Sequence, residues 1–288
     1  MMVFWNHFKV IISGVPLFCV AFGLLYLSKL IYDLTTPFSV EATLVKEDNP
    51  AFGVHFFGYM LGVSIAILGS MSHLSGHLKT DLTSLILGGG LSVVLVRLSI
   101  TINDKLILSR FKIYKEILED RNIGTGAVVA GSSIASGLII NGILSGESPD
   151  AYSAFKAVIF FFIAGQIMLI IASRVLQKIT NYDISDTLEK QDNLAVGINY
   201  GAFLLGIGII LRSGIAGASR GIMDELIVFL VYGIVGLALL SASQVIADRI
   251  FLPSSALMDE VSRQQNPAAA LVAAACYLSI ACFIGALV

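Results

Sequence analysis

Long apolar runs alternate with short polar segments along the whole chain. The runs fall at about 9–32, 50–72, 82–103, 123–145, 153–176, 194–217, 225–247 and 267–287. A helix of about 20 residues, at 1.5 Å per residue, spans the ~30 Å hydrocarbon layer of a membrane. The pattern therefore predicts an all-α, polytopic transmembrane helical bundle with eight spans.

The same polar-to-apolar border occurs four times, each time at an asparagine. Asn49, Asn122, Asn193 and Asn266 are separated by 73, 71 and 73 residues. They divide the chain into four units, each with an apolar helix (A), a polar linker and a Gly/Ala-rich helix (B). Because each unit has an even number of spans, all four insert with the same orientation, as parallel two-helix repeats. The repeats predict two four-helix membrane units, 1–146 and 147–288.

The position of the asparagines predicts four helix N-caps. An asparagine side chain accepts hydrogen bonds from the free N–H groups of a first helical turn. Pro50 and Pro267 follow two of the asparagines, and proline favours the first helical position. A compatible functional alternative is that the four asparagines form a polar pore mouth around a central axis. Apolar residues nine and five positions before each asparagine predict a short amphipathic helix at the membrane interface.

Each B helix carries a stripe of small residues, 2, 9, 13 and 20 positions after its asparagine. All 16 are Gly, Ala or Ser, and on a helix they fall within about 40° of one another. Such a stripe predicts close helix packing, or alternatively the lining of a narrow pore. The stripes are Ala51, Gly58, Gly62 and Gly69; Gly124, Gly131, Ala135 and Gly142; Ala195, Ala202, Gly206 and Ser213; and Ala268, Ala275, Ser279 and Ala286.

Composition and charge support a membrane location and indicate an orientation. Hydrophobic residues make up 56% of the chain and charged residues 13%, well below the quarter that is usual in soluble domains. The A-to-B linkers carry 12 lysines and arginines and the opposite side carries 5, which places the linkers in the cytoplasm and both termini outside. The net charge is −2, and no basic patch indicates a nucleic-acid partner.

Polar groups within the spans are the default functional candidates. Arg97 is expected to reach the membrane surface or pair inside the bundle, Arg212 to reach water, and Gln166 to form an interhelical hydrogen bond. His73 and His77 are four residues apart, but they lie in a predicted loop without further ligands, so no metal site is expected. The chain has no nucleophile elbow, P-loop or HExxH motif. These observations predict neither an enzyme nor a bound cofactor.

A charged linker followed by Asn, a small residue, a glycine four positions on and a Gly-rich span resembles the YjfL-like bacterial inner-membrane family. That family is a domain of unknown function whose members look like four-helix units, so this chain resembles two in tandem. The fourth unit departs from the pattern, with Ala270 where the others have Gly53, Gly126 and Gly197. The resemblance implies the topology, a bacterial inner membrane and an association with envelope stress, but no chemistry.

Two functional hypotheses follow. The first is a small-solute or ion conduit near the repeat axis. The second is a structural or envelope-stress scaffold that docks a cytoplasmic protein partner through its linkers. Under both hypotheses the lipid bilayer is a partner. A homo-oligomer is the alternative to a cytoplasmic protein partner. Whether the small-residue stripes face a central space or one another distinguishes the hypotheses.

Overall fold

The structure, a computed structural model, describes residues 2–148, 150–217, 221–251 and 253–287. Arg220, one of the five cations counted opposite the linkers, lies outside these residues. The helices are α1 (Met2–Thr35), α2 (Pro50–Gly69), α3 (Leu78–Leu106), α4 (Ile113–Leu118), α5 (Ile123–Leu144), α6 (Ala151–Ile179), α7 (Ile184–Gln191), α8 (Leu194–Ile215), α9 (Ile222–Ile246), α10 (Leu257–Ser262) and α11 (Pro267–Gly285).

Eight of these helices are long and apolar enough to cross a membrane, and no strand occurs in the described ranges. This confirms the all-α polytopic fold. The A helices are α1, α3, α6 and α9, and the B helices are α2, α5, α8 and α11. The short helices α4, α7 and α10 lie in the linkers, and a π-helical turn, Ala42–Lys46, takes their place in the first linker. A second π-turn, Ala247–Phe251, extends α9.

The B helices stand side by side in a row, in the order α2, α5, α8 and α11. The A helices cover one face of this row: α3 packs against α2 and α5, α6 against α5 and α8, and α9 against α8 and α11. Within the described chain, α2 and α11 each have extensive contact with one B helix only. The B helices therefore form an open layer in the described chain, whereas the alternative interpretation of the asparagines, a polar pore mouth, needs them around a central axis.

The centre of the protein is α5, which has B helices on both sides and A helices on one face. No residue of α5 is exposed, whereas every other long helix has exposed positions. Residues 12 positions after each asparagine, such as Ile134 and Leu205, are half-buried because they lie on the face of the row that no A helix covers.

Candidate functional site

The four asparagines cap the four B helices. The Oδ1 atom of Asn49 accepts from the N–H of Phe52 at 3.0 Å, and that of Asn122 accepts from Thr125 at 2.9 Å. Asn193 caps α8 through Val196 at 3.1 Å. Asn266 accepts from the N–H groups of Ala268 and Ala269 at 3.1 and 3.3 Å. The N-cap geometry thus recurs in every repeat, in the extended backbone conformation that a cap requires.

A tight corner precedes each cap. Asp48, Arg121, Asp192 and Gln265 have φ angles of 46°, 55°, 49° and 51°, and they are the only non-glycine residues with positive φ in the described ranges. Each lies directly before an asparagine. The left-handed residue turns the backbone so that the N–H of the following asparagine can return to the carbonyl six residues earlier, within the linker helix or turn. Asn122 makes that return bond to Glu116 at 2.8 Å, and Asn266 makes it to Glu260 at 2.9 Å.

The amide nitrogen of the same asparagines connects one repeat to the next. The Nδ2 atom of Asn49 donates to the carbonyl oxygen of Ile117 in α4 at 2.8 Å, and that of Asn122 donates to Leu188 in α7 at 2.7 Å. Asn193 donates to Val261 in α10 at 3.0 Å. We call this contact the repeat clamp. It ties the end of each linker helix to the B helix of the preceding unit.

In the described chain, no unit follows the fourth repeat for its asparagine to clamp. Asn266 Nδ2 instead donates to the Glu260 carboxylate of its own linker at 2.9 Å. Asn122, which has a following unit, contacts both Leu188 and its own Glu116, the latter at 3.1 Å. Sequence reasoning found the caps but missed the clamps. The apolar residue five positions before the next asparagine marks the receiving carbonyl in each case.

The small-residue stripes of the first three B helices lie against the next B helix. A Cβ atom at Gly62 would come within 2.5 Å of the Ser133 carbonyl oxygen, and one at Gly69 within 2.7 Å of that of Asn141. Gly142 faces the backbone of Arg212 in the same way. All four stripe positions are buried in the first two units. The backbones of α2, α5 and α8 are thus in direct contact, and these stripes face one another and not a lumen.

The third stripe makes a looser contact. A Cβ at Gly206 would lie 3.1 Å from Leu240 Cδ1 and 3.6 Å from the Tyr277 carbonyl oxygen. Ser213 approaches Gly285 of α11 from this side. Ala195 and Gly206 are buried, and Ala202 and Ser213 are half-buried.

At the fourth stripe, the structure differs from the sequence prediction. Ala268, Ala275, Ser279 and Ala286 are all exposed, so this stripe is not buried in a helix contact among the described residues. The physical reason is that α11 has extensive contact with only one B helix, α8, in the described chain, so its stripe has no further B helix to face there.

A group of polar side chains lies inside the bundle around the middle of α5. Asn103 of α3 and Gln166 of α6 both donate to the Ser136 hydroxyl, each at 3.4 Å. Both side chains are buried, and their carbonyl oxygens have no hydrogen-bond partner among the described residues. We call Asn103, Ser136 and Gln166 the α5 polar cluster. Gln166 therefore makes the expected interhelical hydrogen bond. The side-chain oxygens of Asn103 and Gln166 remain without a donor among the described residues.

Arg97 is half-buried near the linker side. Its Nε donates to the Thr35 hydroxyl at 2.8 Å, and its guanidinium lies 5.2 Å from the centre of the Tyr32 ring. Arg212 is exposed at the other end of α8, as expected, and its Nε donates to Asn141 Oδ1 at 2.6 Å. Asn141 Nδ2 in turn donates to the Ile65 carbonyl at 2.7 Å, so this amide bridges α2, α5 and α8.

His73 and His77 lie in the loop between α2 and α3, as the sequence indicates. His73 Nε2 is hydrogen-bonded to the Ser145 carbonyl oxygen at 2.8 Å. No group of three or more His, Cys, Asp or Glu side chains in the described residues is arranged to hold a metal ion.

Comparison with known families identifies two tandem matches, residues 7–144 and 150–288, to the family described as Domain of Unknown Function (DUF350). The chain belongs to the DUF350 family. Searches of curated proteins and of solved structures gave no match.

The two DUF350 copies align residue by residue through their asparagines. Asn193 and Asn266 each follow their counterparts, Asn49 and Asn122, by 144 residues. Six positions before the asparagine, the first unit of each copy has a buried threonine and the second a buried glutamate. These residues are Thr43 and Thr187, and Glu116 and Glu260.

The copies differ in their polar interiors. Asn103 and Ser136 of the first DUF350 copy correspond to Ala247 and Ile280 of the second, and Arg97 corresponds to Ser241. The duplicated scaffold is therefore shared, whereas Asn103 and Ser136 of the α5 polar cluster, and the arginine at position 97, occur only in the first copy.

Proposed function

We propose that this DUF350 protein is a membrane scaffold, which docks a protein partner on its linker side. The observation that carries the proposal is the direct backbone contact between successive B helices, at stripe glycines such as Gly62. A conduit on the repeat axis would need these stripes to line a space. The B helices are instead in backbone contact along the row, and the clamps join each linker helix to the B helix of the preceding unit. Both contacts support a rigid helical scaffold.

The linker side offers the surface for such a partner. The linker helices and corners expose both cations and carboxylates, among them Lys46, Glu47, Lys112, Glu119 and Lys190. The repeat clamps hold these segments in a fixed relation to the bundle. Since the clamps order the surface before binding, a partner meets a pre-organised face at a lower entropic cost.

The same proposal places the linkers in the cytoplasm of a bacterial cell, with the protein in the inner membrane. The cation bias of the linkers supports this orientation. We expect a cysteine at Ser109, on the linker side, to react with an impermeant thiol reagent only after the cells are permeabilised. A cysteine at His77 should react in intact cells. The three native cysteines are first replaced, and the opposite labelling pattern would refute the orientation.

A second candidate function is a conduit, which the α5 polar cluster favours. Two unsatisfied carbonyl oxygens in a buried part of a membrane protein carry a free-energy cost of about 1–3 kcal/mol each. A transient water or ion near Asn103 and Gln166 would relieve that cost. Such a path would lie between α3, α5 and α6 and not on the repeat axis.

Reconstitution distinguishes the two functions. Purified protein in liposomes is tested with imposed gradients of Na⁺, K⁺, Cl⁻ and H⁺, and the scaffold predicts no flux above empty liposomes. In cells, a photo-crosslinking residue at Glu119 should capture a discrete protein, whereas the same residue at His77, on the other side, should not. Flux that Gln166→Leu abolishes would instead establish the conduit.

A further inference from the structure

A cavity of about 680 Å³ opens between the end of α1, the second half of α3 and the linker helix α4. Arg97 and Thr101 of α3 and Thr35 of α1 form one wall, and Tyr114 of α4 lies opposite. Arg97 lies nine residues before Leu106, the end of α3, so the cavity extends about 13 Å into the span from the linker side.

Arg97 brings a permanent positive charge into this cavity, and the oxygen atoms to which it donates hydrogen bonds are neutral. Besides Thr35, its guanidinium donates to the Thr101 hydroxyl at 3.4 Å and interacts with the Tyr114 side chain. Within the described chain, no carboxylate oxygen lies within 4.0 Å of a guanidinium nitrogen of Arg97. A guanidinium that deep in a span is costly unless a counter-charge accompanies it.

Three lysines extend the positive charge towards the membrane surface. Lys105, Lys112 and Lys115 line the same cavity and are exposed. Lys115 forms an ion pair with Asp120 at 2.8 Å, whereas Lys105 and Lys112 have no ion pair among the described residues.

Two carboxylates also line the cavity, those of Asp104 and Glu119. The Oδ1 atom of Asp104 is buried away from solvent, in the packing beneath α4. The cations therefore outnumber the acids, and they lie at two depths, with Arg97 below and the lysines above.

We propose that this cavity binds a phosphate group, of the kind carried by an anionic phospholipid headgroup at the linker-side surface. Phosphate oxygens match the planar fork of a guanidinium, and lysines add attraction that depends less on geometry. Thr35 and Thr101 hold the guanidinium in place before binding, and Tyr114 supplies an aromatic wall at the interface. The polar mouth and the depth of Arg97 suit a group that sits at the boundary between lipid and water.

The second DUF350 copy lacks this site. The counterparts of Arg97, Thr35 and Thr101 are Ser241, Ile179 and Val245, and Lys112 corresponds to Ala256. Only Lys105 keeps its charge, as Arg249. The proposed site is thus a property of the first copy and not a requirement of the fold.

The test is the thermal stability of the purified full chain in detergent, titrated separately with phosphatidylglycerol, phosphatidylcholine and inorganic phosphate. We expect phosphatidylglycerol to raise Tm saturably and phosphatidylcholine to have little effect. Arg97→Gln should weaken the apparent affinity for phosphatidylglycerol by about tenfold or more. A saturable response to inorganic phosphate alone would keep the site and assign it to a soluble source.

A second variant changes two exposed lysines, so its effect on binding does not depend on the packing of the core. The double variant Lys105→Gln, Lys112→Gln should weaken the response, while Arg249→Gln, the matched change in the second copy, should leave it intact. If no phosphate-bearing probe raises Tm, or if Arg97→Gln and the lysine variant respond like the parent, the proposal is wrong.

Discussion

The helices α5 and α11 occupy the same place in the two DUF350 copies, yet their surroundings are opposite. Both begin at an asparagine cap after a left-handed residue, and both carry a small-residue stripe. The helix α5 has no exposed residue, because α2 and α8 lie on its two sides. In α11 the entire stripe is exposed, because α8 is the only B helix with which α11 has extensive contact in the described chain.

This difference shows which repeat features are local and which depend on a neighbour. The cap needs only the first turn of its own helix, so it survives at the end of the row. The clamp and the packed stripe need the next unit. Asn266 therefore turns to its own Glu260, and the side chains of α11 lose the constraint that keeps glycine at Gly131.

The largest effect should come from adding bulk to equivalent stripe positions of the two helices. Gly131→Leu forces four carbon atoms into the backbone of Gly201 and should lower stability by about 3 kcal/mol or more, or prevent folding. Ala275→Leu, at the exposed counterpart, should change stability by less than about 0.5 kcal/mol. Thermal unfolding in detergent measures both.

Two further variants, Gly206→Leu and Gly131→Ala, should lower stability by less than Gly131→Leu does. Gly206 faces the flexible Leu240 side chain, so leucine there should cost less than at Gly131. Gly131→Ala keeps the change small enough for a folded product. Equal melting of the Gly131 and Ala275 variants would mean that the stripes do not determine the spacing of the B helices.

The sequence predicted the repeats, the spans, the caps and the presence of linker helices, since each depends on local patterns. Asn122 could be recognised as a cap because the N–H group that donates to its side chain lies only three residues away, on Thr125. Its donation to Leu188, 66 residues away, depends on how the repeats are arranged, which periodicity does not specify. The same holds for the contact of Arg97 with Thr35. The exposure of the stripe at Ala275 follows from the row being open, where a closed ring was equally compatible with the sequence.

The second effect concerns the clamps. Asn122→Asp keeps the cap acceptor but removes the donor to the Leu188 carbonyl and places two carboxylates together, with Glu116. We expect a loss of about 2 kcal/mol, from an unsatisfied buried carbonyl and like-charge repulsion. Asn122→Ser should keep the cap and lose the clamp alone, at a smaller cost. Stability is measured by thermal unfolding at neutral pH.

Asn193→Ser and Asn266→Ser provide the comparison between an internal and a terminal repeat. Asn193 clamps Val261, so its loss should resemble that of Asn122. Asn266→Ser should cost less than about 1 kcal/mol, because a serine cap remains and no clamp is lost. A terminal loss as large as the internal one would argue against the clamp as a stabilising contact.

A smaller effect is expected at the polar bridge on the opposite side of the membrane. Asn141 joins Ile65 of α2 and Arg212 of α8, and its counterpart in α11 is Gly285, which forms no such bridge. Asn141→Ala should lower stability by about 1 kcal/mol, given the modest value of interhelical hydrogen bonds in membranes. A double-mutant cycle with Arg212→Ala should give a coupling of about 0.5 kcal/mol. Strict additivity of the two changes would show that the Asn141–Arg212 bond contributes nothing.

The smallest effect should appear in the pH dependence of stability, through Glu116 in the linker below α5. Its side chain is buried, and burial raises the pKa of its carboxyl above the usual 4.5, although the hydrogen bond from Asn122 opposes the rise. Because the folded pKa lies above the unfolded one, the ionised carboxylate destabilises the fold at pH values above the folded pKa. That destabilisation disappears as the pH falls through the folded pKa and below 4.5. Glu116→Gln keeps an oxygen acceptor for Asn122 without the charge, so it should raise Tm near neutral pH and converge with the parent in acid. Parallel Tm curves for the two proteins would show that burial does not raise the pKa of this carboxyl, and that the internal clamp tolerates a charge beside it.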